Sequence, residues 1–207
     1  MHQRRQRTLQ ECLDYHLKDG RAVVFEGTAQ GHRIDMARGF VAKVLHTDGP
    51  WDGSSKTYAR SRIIELGCGA GDISGPFSSY NVVSGFDIVP AVEPVIHARW
   101  PWMSITLKPI EEVHPQKCDC LILCEVLEHL HDPLALVREW LPLARNVVIG
   151  HPLNEPDNEG EEGHCWSYTF DDFLDWFRIG GHELVDQMTF PMSCYPEMVL
   201  GLGRNKT

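Results

Sequence analysis

A glycine-rich turn between an apolar run and a helix start constrains the fold of this chain more than any other segment. Residues 63–72 read IIELGCGAGD, so a short strand ends near the acid Glu65 and is followed by Gly67, Gly69 and Gly71 in G-x-G-x-G spacing. Glycine permits a sharp turn and a close approach of the backbone to a ligand, because it has no Cβ. The free N–H groups of a helix start favour a polar or anionic ligand group. The segment therefore predicts a strand–turn–helix unit with a ligand site at the turn.

The spacing of the glycines argues against a dinucleotide cofactor. A dinucleotide fingerprint requires G-x-G-x-x-G, and Asp72 occupies its third glycine position here. An NAD-dependent oxidoreductase is therefore disfavoured. The ELGCGAG segment instead resembles the first motif of the class I S-adenosylmethionine (SAM) dependent methyltransferases. The resemblance implies that the following residues of the motif bind the cofactor: Glu65, Gly67, Cys68, Gly69 and Gly71.

Size and composition fit one α/β domain with an N-terminal extension. The chain has 207 residues and a formal net charge of −10. It lacks the apolar run of about 18 residues that would span a membrane, and no apolar run follows the basic segment 1–7 as it would in a secretory signal. Seven cysteines without disulfide-like spacing indicate a reduced, cytoplasmic setting. Because nucleic acids usually require a basic face, the negative charge favours a small-molecule acceptor over RNA and argues against DNA.

Strands alternate with helices from about residue 60 onward, which predicts a parallel sheet. The predicted strands cover 62–66, 82–87, 104–107, 118–124 and 145–150, and the predicted helices cover 71–79, 91–99, 133–143 and 169–179. Two successive strands, 182–188 and 198–203, predict an antiparallel pair at the end. Apolar residues at helical spacing predict two earlier helices, one ending at Gly20 and one over 33–46. We therefore divide the chain into an N-terminal helical extension, 1–59, which can cap an acceptor pocket, and a SAM-binding domain, 60–207.

A second strand that ends in an acid is a candidate for binding a nucleoside. Asp87 ends the predicted strand 82–87, and ligands of open α/β sheets lie beyond the carboxyl ends of the strands. Its carboxylate can accept hydrogen bonds from both hydroxyls of a ribose, whereas the alternative is a helix N-cap without a ligand. The next segment departs from the family pattern, because Pro109 or Ile110 stands where an acid near the adenine is often found. The candidates for the adenine end are then Ile88, Ile110 and Glu111.

Residues 118–133, CDCLILCEVLEHLHDP, resemble a further segment of the class I methyltransferases. The resemblance places Cys124 and Glu125 beside the methionyl part of SAM. With the first motif and Asp87, it extends the similarity to residues 60–203. The implied fold is a Rossmann-like α/β fold, with a mostly parallel seven-stranded sheet, helices on both faces and an antiparallel last strand. The implied reaction transfers a methyl group from SAM to an acceptor and leaves S-adenosylhomocysteine.

Carboxylates and imidazoles near the end of that strand are candidates for a metal site or a base. Glu125, Glu128 and His129 have the i, i+3, i+4 spacing that places side chains on one face of a helix. His164 follows the fifth predicted strand and precedes the helix predicted over 169–179, so we expect it at the same edge of the sheet. Together the four resemble the divalent-cation ligands, for a cation such as Mg²⁺, of the small-RNA 3′-end 2′-O-methyltransferases and of the O-methyltransferases of quinone biosynthesis. The alternative is that no metal binds, as in many class I methyltransferases with Glu-x-x-Glu-His here, and that His164 is a structural loop residue.

The chemistry of the cofactor limits what the protein must supply. The methyl group of SAM is already activated, so the protein mainly aligns an in-line displacement and excludes water. An alcohol acceptor must also lose a proton, for which His129 or His164 is the candidate base; a bound cation would instead lower the pKa of the hydroxyl. We therefore predict a SAM-dependent methyltransferase with a small-molecule acceptor. The alternatives are a metal-assisted 2′-O-methyltransferase of an RNA 3′ end and a non-enzymatic SAM-fold partner subunit.

Two further features are expected near the acceptor. The acidic segment 154–163 is a candidate lid, with a solvated surface loop as the alternative. Trp166 and Tyr168 are the aromatic residues that we expect beside the acceptor, and Tyr15 and Phe25 of the N-terminal extension are candidates for its cap.

Overall fold

The described part of the chain alternates strands and helices, as the sequence predicts. The computed structural model describes residues 1–3, 8–19, 31–47, 60–156, 163–191 and 197–206. In chain order its strands are β1 (His2–Gln3), β2 (Arg62–Leu66), β3 (Val82–Asp87), β4 (Ser104–Leu107), β5 (Cys118–Cys124), β6 (Ala144–Leu153), β7 (Trp166–Ser167), β8 (His182–Phe190) and β9 (Glu197–Asn205). Its α-helices are α1 (Leu9–Asp19), α2 (Gly31–Thr47), α3 (Val92–Arg99), α4 (Pro133–Trp140) and α5 (Phe170–Ile179). None of the helices that the structure describes has the length and apolar character needed to cross a membrane.

Seven strands form one sheet in the order β4-β3-β2-β5-β6-β9-β8. Strand β9 lies between β6 and β8 and is antiparallel to both, whereas the other neighbouring pairs are parallel. The predicted Rossmann-like sheet with an antiparallel last strand is therefore confirmed. Because β3 and β5 flank β2, the chain reverses its direction of winding there, which opens a crevice at the carboxyl ends of these three strands. The glycine turn follows β2, Asp87 ends β3 and Glu125 follows β5, so all three segments meet at this crevice.

Helices cover both faces of the sheet, and alternate residues of each central strand enter one of two cores. In β2, Ile64 packs into a core with Trp140 of α4 and Phe173 of α5. The neighbouring Ile63 enters the opposite core, which includes Val41 of α2. Strands buried on both faces are apolar along their whole length, which explains the continuous runs in the sequence. Helix α2 thus covers one face of the sheet.

Proline decides where two predicted helices differ from the structure. The segment predicted as a helix over 71–79 is a turn followed by a short 3-10 helix, Gly75–Phe77. Pro76 has no N–H to donate to the carbonyl of Asp72, and that carbonyl instead accepts a hydrogen bond from Arg38 Nε of α2 at 2.7 Å. The helix predicted over 133–143 ends at Trp140 and continues as a 3-10 helix, Leu141–Leu143, that contains Pro142.

Candidate active site

The three glycines of the turn all adopt left-handed backbone angles. The φ angles of Gly67, Gly69 and Gly71 are 67°, 49° and 71°, a region that strains other residues. A Cβ on Gly67 would lie 2.6 Å from Cγ2 of Val126, so this glycine allows the turn to pack against the end of β5. A Cβ on Gly69 would meet no atom within 4 Å, because this glycine borders a cavity.

Asp87 holds the turn after β2 to the loop after β3. Its Oδ2 accepts a hydrogen bond from Gly69 N at 2.8 Å, and its Oδ1 accepts one from Val89 N at 2.9 Å. The alternative of a helix N-cap is wrong, because α3 has Ala91 at that position and no side-chain cap. A carboxylate has about four acceptor positions, so Asp87 keeps acceptor capacity toward the cavity that it lines.

The cavity has a volume of about 270 Å³ and lies at the crevice between β2, β3 and β5. Among the described residues, its lining includes these predicted cofactor residues: Gly67, Gly69, Asp87, Ile88, Ile110, Glu111 and Glu125. His129 lines the same cavity, and Cys12 and Leu13 of α1 form part of its wall. The sequence did not predict that Cys12 and Leu13 line the cavity. Their helical spacing with Leu9 and Leu17 does mark them as part of an apolar helix face.

Other predicted cofactor residues are not part of this lining and support the turn from behind. Glu65 is buried, and its carboxyl accepts a hydrogen bond from Ser74 N at 3.2 Å. Burial raises the pKa of Glu65 to about 8, so the side chain is mostly neutral at pH 7. Cys68 is buried in the core beneath the turn, and Cys124 is half-buried against the same core. A Cβ on Gly71 would lie 3.0 Å from Cδ1 of Trp100 and 3.1 Å from Sδ of Met103.

The predicted helical face of Glu125, Glu128 and His129 is wrong. The helix there is a 3-10 helix over Leu127–His129 only, and Glu125 precedes it with a left-handed φ of 59°. The carboxylate of Glu125 forms an ion pair with Arg33 of α2, and both side chains are mostly buried. A left-handed angle on such a residue costs about 1–2 kcal/mol and is characteristic of functional sites.

Glu128, His129 and His164 form a compact cluster beside the cavity. One potential ligand atom from each residue can be chosen so that the three atoms lie within 4.8 Å of one another. The imidazole rings of His129 and His164 pack edge to face with centroids 4.6 Å apart. The structure thus brings together three of the four predicted metal or base residues, while Glu125 turns to Arg33.

Glu128 is the most unusual member of the cluster. The residue is fully buried, and neither carboxylate oxygen has a hydrogen-bond partner on another residue that the structure describes. Burial raises the pKa of Glu128 well above its usual value, and the negative charge of Glu125 adds to the effect. Buried charge without a partner is costly, so this carboxyl group is suited to meet a cation.

A residue that the sequence reasoning missed completes the cluster. Glu155, two residues beyond β6, has its Oε2 at 2.7 Å from Nδ1 of His164, and both side chains are buried. The sequence signal is present, because Glu155 belongs to the acidic segment 154–163, which is the candidate lid. Residues 157–162 of that segment lie outside the described residues.

Two aromatic residues expected at the acceptor pack elsewhere. Tyr168 is fully buried and donates its hydroxyl hydrogen bond to the carbonyl of Leu127 at 2.8 Å. Trp166 donates from Nε1 to the carbonyl of Leu130 at 2.8 Å. Both therefore hold the 3-10 helix that carries Glu128 and His129. Among the cap candidates, Tyr15 packs against Gly163, while Phe25 lies outside the described residues.

Sheet order, glycine turn and Asp87 define a Rossmann-like α/β protein with a ligand cavity at its central crevice. A family model described as a methyltransferase domain matches residues 6–187, and the chain belongs to this family of methyltransferases. The chain is 28% identical over 165 residues to the ubiquinone biosynthesis O-methyltransferase of Ruegeria pomeroyi. That match covers 67% of this chain and 66% of the relative, a little under two thirds of its length.

Solved structures of methyltransferases share the fold at low sequence identity. The 1,6-didemethyltoxoflavin-N1-methyltransferase of Burkholderia thailandensis, crystallised with its named acceptor and S-adenosylhomocysteine, has a TM-score of 0.67 and 17% identity, over 97% of this chain and 92% of that one. The magnesium protoporphyrin IX methyltransferase of Synechocystis PCC 6803, crystallised with SAM, has a TM-score of 0.62 and 16% identity, over 84% and 80% of the two chains.

Proposed function

We propose that this protein transfers the methyl group of SAM to a hydroxyl group of a small molecule. The observation that carries the proposal is that residues suited to bind a nucleoside and a cluster suited to deprotonate a hydroxyl lie at one cavity. Gly69 and Asp87 line it as a nucleoside site would require, and His129, with Glu128 and His164 in contact, lies at the same cavity. The family membership and the relatives described above support the cofactor and the reaction type.

The cofactor-binding residues have separate tasks in this proposal. Asp87 accepts hydrogen bonds from the ribose hydroxyls, while its bonds to Gly69 and Val89 keep the carboxylate in place. Ile88 and Ile110 enclose the adenine, with Glu111 near its polar edge, and Glu125 lies toward the methionyl end. A more distant group supports the turn without touching the cofactor: Glu65, Cys68, Gly71 and Cys124.

Helix α1 caps the acceptor part of the cavity in this proposal. Cys12 and Leu13 supply an apolar wall next to His129. The helix is tied to the cluster, since Cys12 Sγ lies 3.6 Å from Sγ of Cys165, the residue after His164. The N-terminal extension 1–59 therefore contributes to the acceptor site, and residues 60–207 carry the cofactor site.

The cluster fits a divalent cation, and a cation there would acidify the acceptor hydroxyl. Two imidazole nitrogens and one carboxylate suit a transition-metal ion such as Mn²⁺ or Fe²⁺ better than Mg²⁺, which prefers oxygen ligands. The buried Glu128 oxygens are the observation in favour of a cation. Without a cation, His129 is placed to accept the hydroxyl proton, because it lines the cavity. The chain's own residues then orient the hydroxyl, exclude water and receive the proton.

The same chemistry would serve the 2′-hydroxyl of an RNA 3′ end, which remains the alternative acceptor. The net charge of −10 favours the small molecule. Phenolic and aliphatic alcohols, amines and a short RNA can be compared directly by transfer of a labelled methyl group from SAM, with Mg²⁺, with Mn²⁺ and with EDTA.

The first experiment is a calorimetric titration of the dialysed protein with S-adenosylhomocysteine in EDTA. We expect saturable one-to-one binding in the micromolar range. Folded, ligand-free protein that shows no binding would overturn the cofactor assignment, and binding without transfer to any alcohol would overturn the proposed acceptor class.

A further inference from the structure

Glu155 is a buried acid that the methyl-transfer chemistry described above does not use. It is 5% exposed as a residue, and the imidazole of His164, which it contacts at 2.7 Å, is fully buried. A carboxylate is costly in such surroundings unless its partner is well placed.

The backbone around Glu155 is held on both sides. Asn154 adopts a left-handed φ of 52°, which asparagine tolerates, and its N–H donates to the carbonyl of Tyr168 at 2.8 Å. The carbonyl of Glu155 accepts a hydrogen bond from Oγ of Ser167 at 3.0 Å. The carboxylate therefore projects from a backbone that is fixed relative to the segment carrying His164.

The contact bears on which nitrogen of His164 carries the proton, because Glu155 faces Nδ1 and not Nε2. A carboxylate only accepts hydrogen bonds when it is ionised, so an ionised Glu155 requires an N–H at Nδ1 of His164. The lone pair of a neutral imidazole then resides on Nε2, which is the state that a ligand or a base requires. The His164 ring also packs edge to face against His129, which limits its rotation.

A second contact joins this arrangement to the remaining member of the cluster. The N–H of Cys165, the residue after His164, donates to the carbonyl of Glu128 at 2.7 Å. The segment held by Glu155 is thus bound directly to the 3-10 helix that carries Glu128 and His129.

We propose that Glu155 is a positioning residue that fixes the tautomer and orientation of His164 in the Glu128–His129–His164 cluster. The proposal rests on the function proposed above for this cluster. Carboxylates behind a ligating histidine typically contribute about 10–100-fold to metal affinity, which sets the expected size of the effect.

The first test reads the tautomer without any metal. Proton–nitrogen NMR of histidine-labelled full-length protein, with His164→Gln used to assign the signal, should show a protonated Nδ1 and an unprotonated Nε2. In Glu155→Gln, whose side chain has the same size, we expect a mixture of tautomers. A wild-type His164 protonated on Nε2, or a Glu155→Gln signal identical to wild type, overturns the proposal.

The second test measures Mn²⁺ affinity by electron paramagnetic resonance of the free ion. Glu155→Gln should weaken Mn²⁺ binding about 10–100-fold, with the affinity for S-adenosylhomocysteine within about twofold of wild type. In a His164→Gln background the same change should alter Mn²⁺ affinity by less than about twofold, because Glu155 acts through His164. Equal losses in both backgrounds indicate a structural role only and contradict the proposal.

The two tests separate this inference from the proposed function. Absence of Mn²⁺ binding by the wild-type protein would remove the cation from the proposed function, and the tautomer measurement would still decide the role of Glu155. Absence of binding to S-adenosylhomocysteine would remove the cofactor assignment independently of both.

Discussion

Substitution of Gly69 by alanine is expected to lower both the stability of the protein and its affinity for the cofactor, for two different reasons. The φ of Gly69 is 49°, so a Cβ costs about 1–2 kcal/mol of stability. The Cβ would meet no protein atom within 4 Å, so no packing clash adds to this cost. For a chain of this size we expect the melting temperature to fall by about 2–8 °C.

The effect on cofactor binding is expected to be larger than strain alone explains. The new methyl group would project into the cavity from the backbone that we expect the cofactor to approach closely. A loss of at least about 1.4 kcal/mol, or tenfold in the Kd for S-adenosylhomocysteine, is expected. The measurement is calorimetric titration of the folded variant at a temperature well below its melting transition.

Gly181 provides a matched control. Its φ is 75°, and a Cβ there would also meet no atom within 4 Å, but it lies between α5 and β8 and does not line the cavity. Gly181→Ala should lose a similar amount of stability and bind S-adenosylhomocysteine as the wild type does. Equal affinities for the two variants would refute the assignment of the turn as the cofactor site.

Three further predictions concern the cofactor, pH and the cap. Asp87→Ala should weaken S-adenosylhomocysteine binding by about 100-fold, as expected for two lost hydrogen bonds to a charged group. The control Asp119→Asn should bind normally, because Asp119 accepts the Arg62 N–H at the other end of β2. Unchanged calorimetric affinity in Asp87→Ala would exclude Asp87 as the ribose-binding residue. Burial raises the pKa of Glu65 to about 8, so the folded protein binds the Glu65 proton more tightly than the unfolded protein does. The contribution of Glu65 to stability should therefore fall as pH rises from about 4.5 to about 8. Urea unfolding should show a shallower pH dependence in Glu65→Gln than in wild type, and parallel curves would contradict the raised pKa. Because α1 caps the acceptor part of the cavity in the proposed function, oxidation of Cys12 and Cys165 to a disulfide by diamide should hinder entry of the acceptor and slow methyl transfer. The cross-link is verified by mass spectrometry against Cys12→Ser, and an unchanged rate in the cross-linked protein would argue against α1 as the cap.

Local patterns were sufficient to predict most of the fold. The glycine turn depends on backbone angles that only glycine adopts freely. Thr169 and Asp172, three residues apart at the start of α5, form a capping box, which is a local signal for a helix start. The positions of the strands and the terminal antiparallel pair follow from apolar runs between turn residues. The last three strands of the sheet are longer than predicted, most clearly β6, which covers Ala144–Leu153 where 145–150 was predicted. The prediction over 71–79 was wrong because one residue, Pro76, removes the amide that an α-helix would need.

What the sequence by itself determined is the succession of strands and helices, the glycine turn and the acid at the end of β3, since each depends on neighbours along the chain. The order of the strands in the sheet was implied by the family resemblance and is fixed by pairing between distant segments. Only the tertiary structure decided which polar side chains meet at the cavity. Glu125 fits the cluster by its spacing but pairs with Arg33, which lies far away in the sequence. Glu155, by contrast, reaches His164 because β6 and the segment before β7 are brought together by packing. Helical spacing predicts neighbours only within one element. The partner of a buried acid is instead the side chain that the folded chain places beside it, which can come from any part of the sequence.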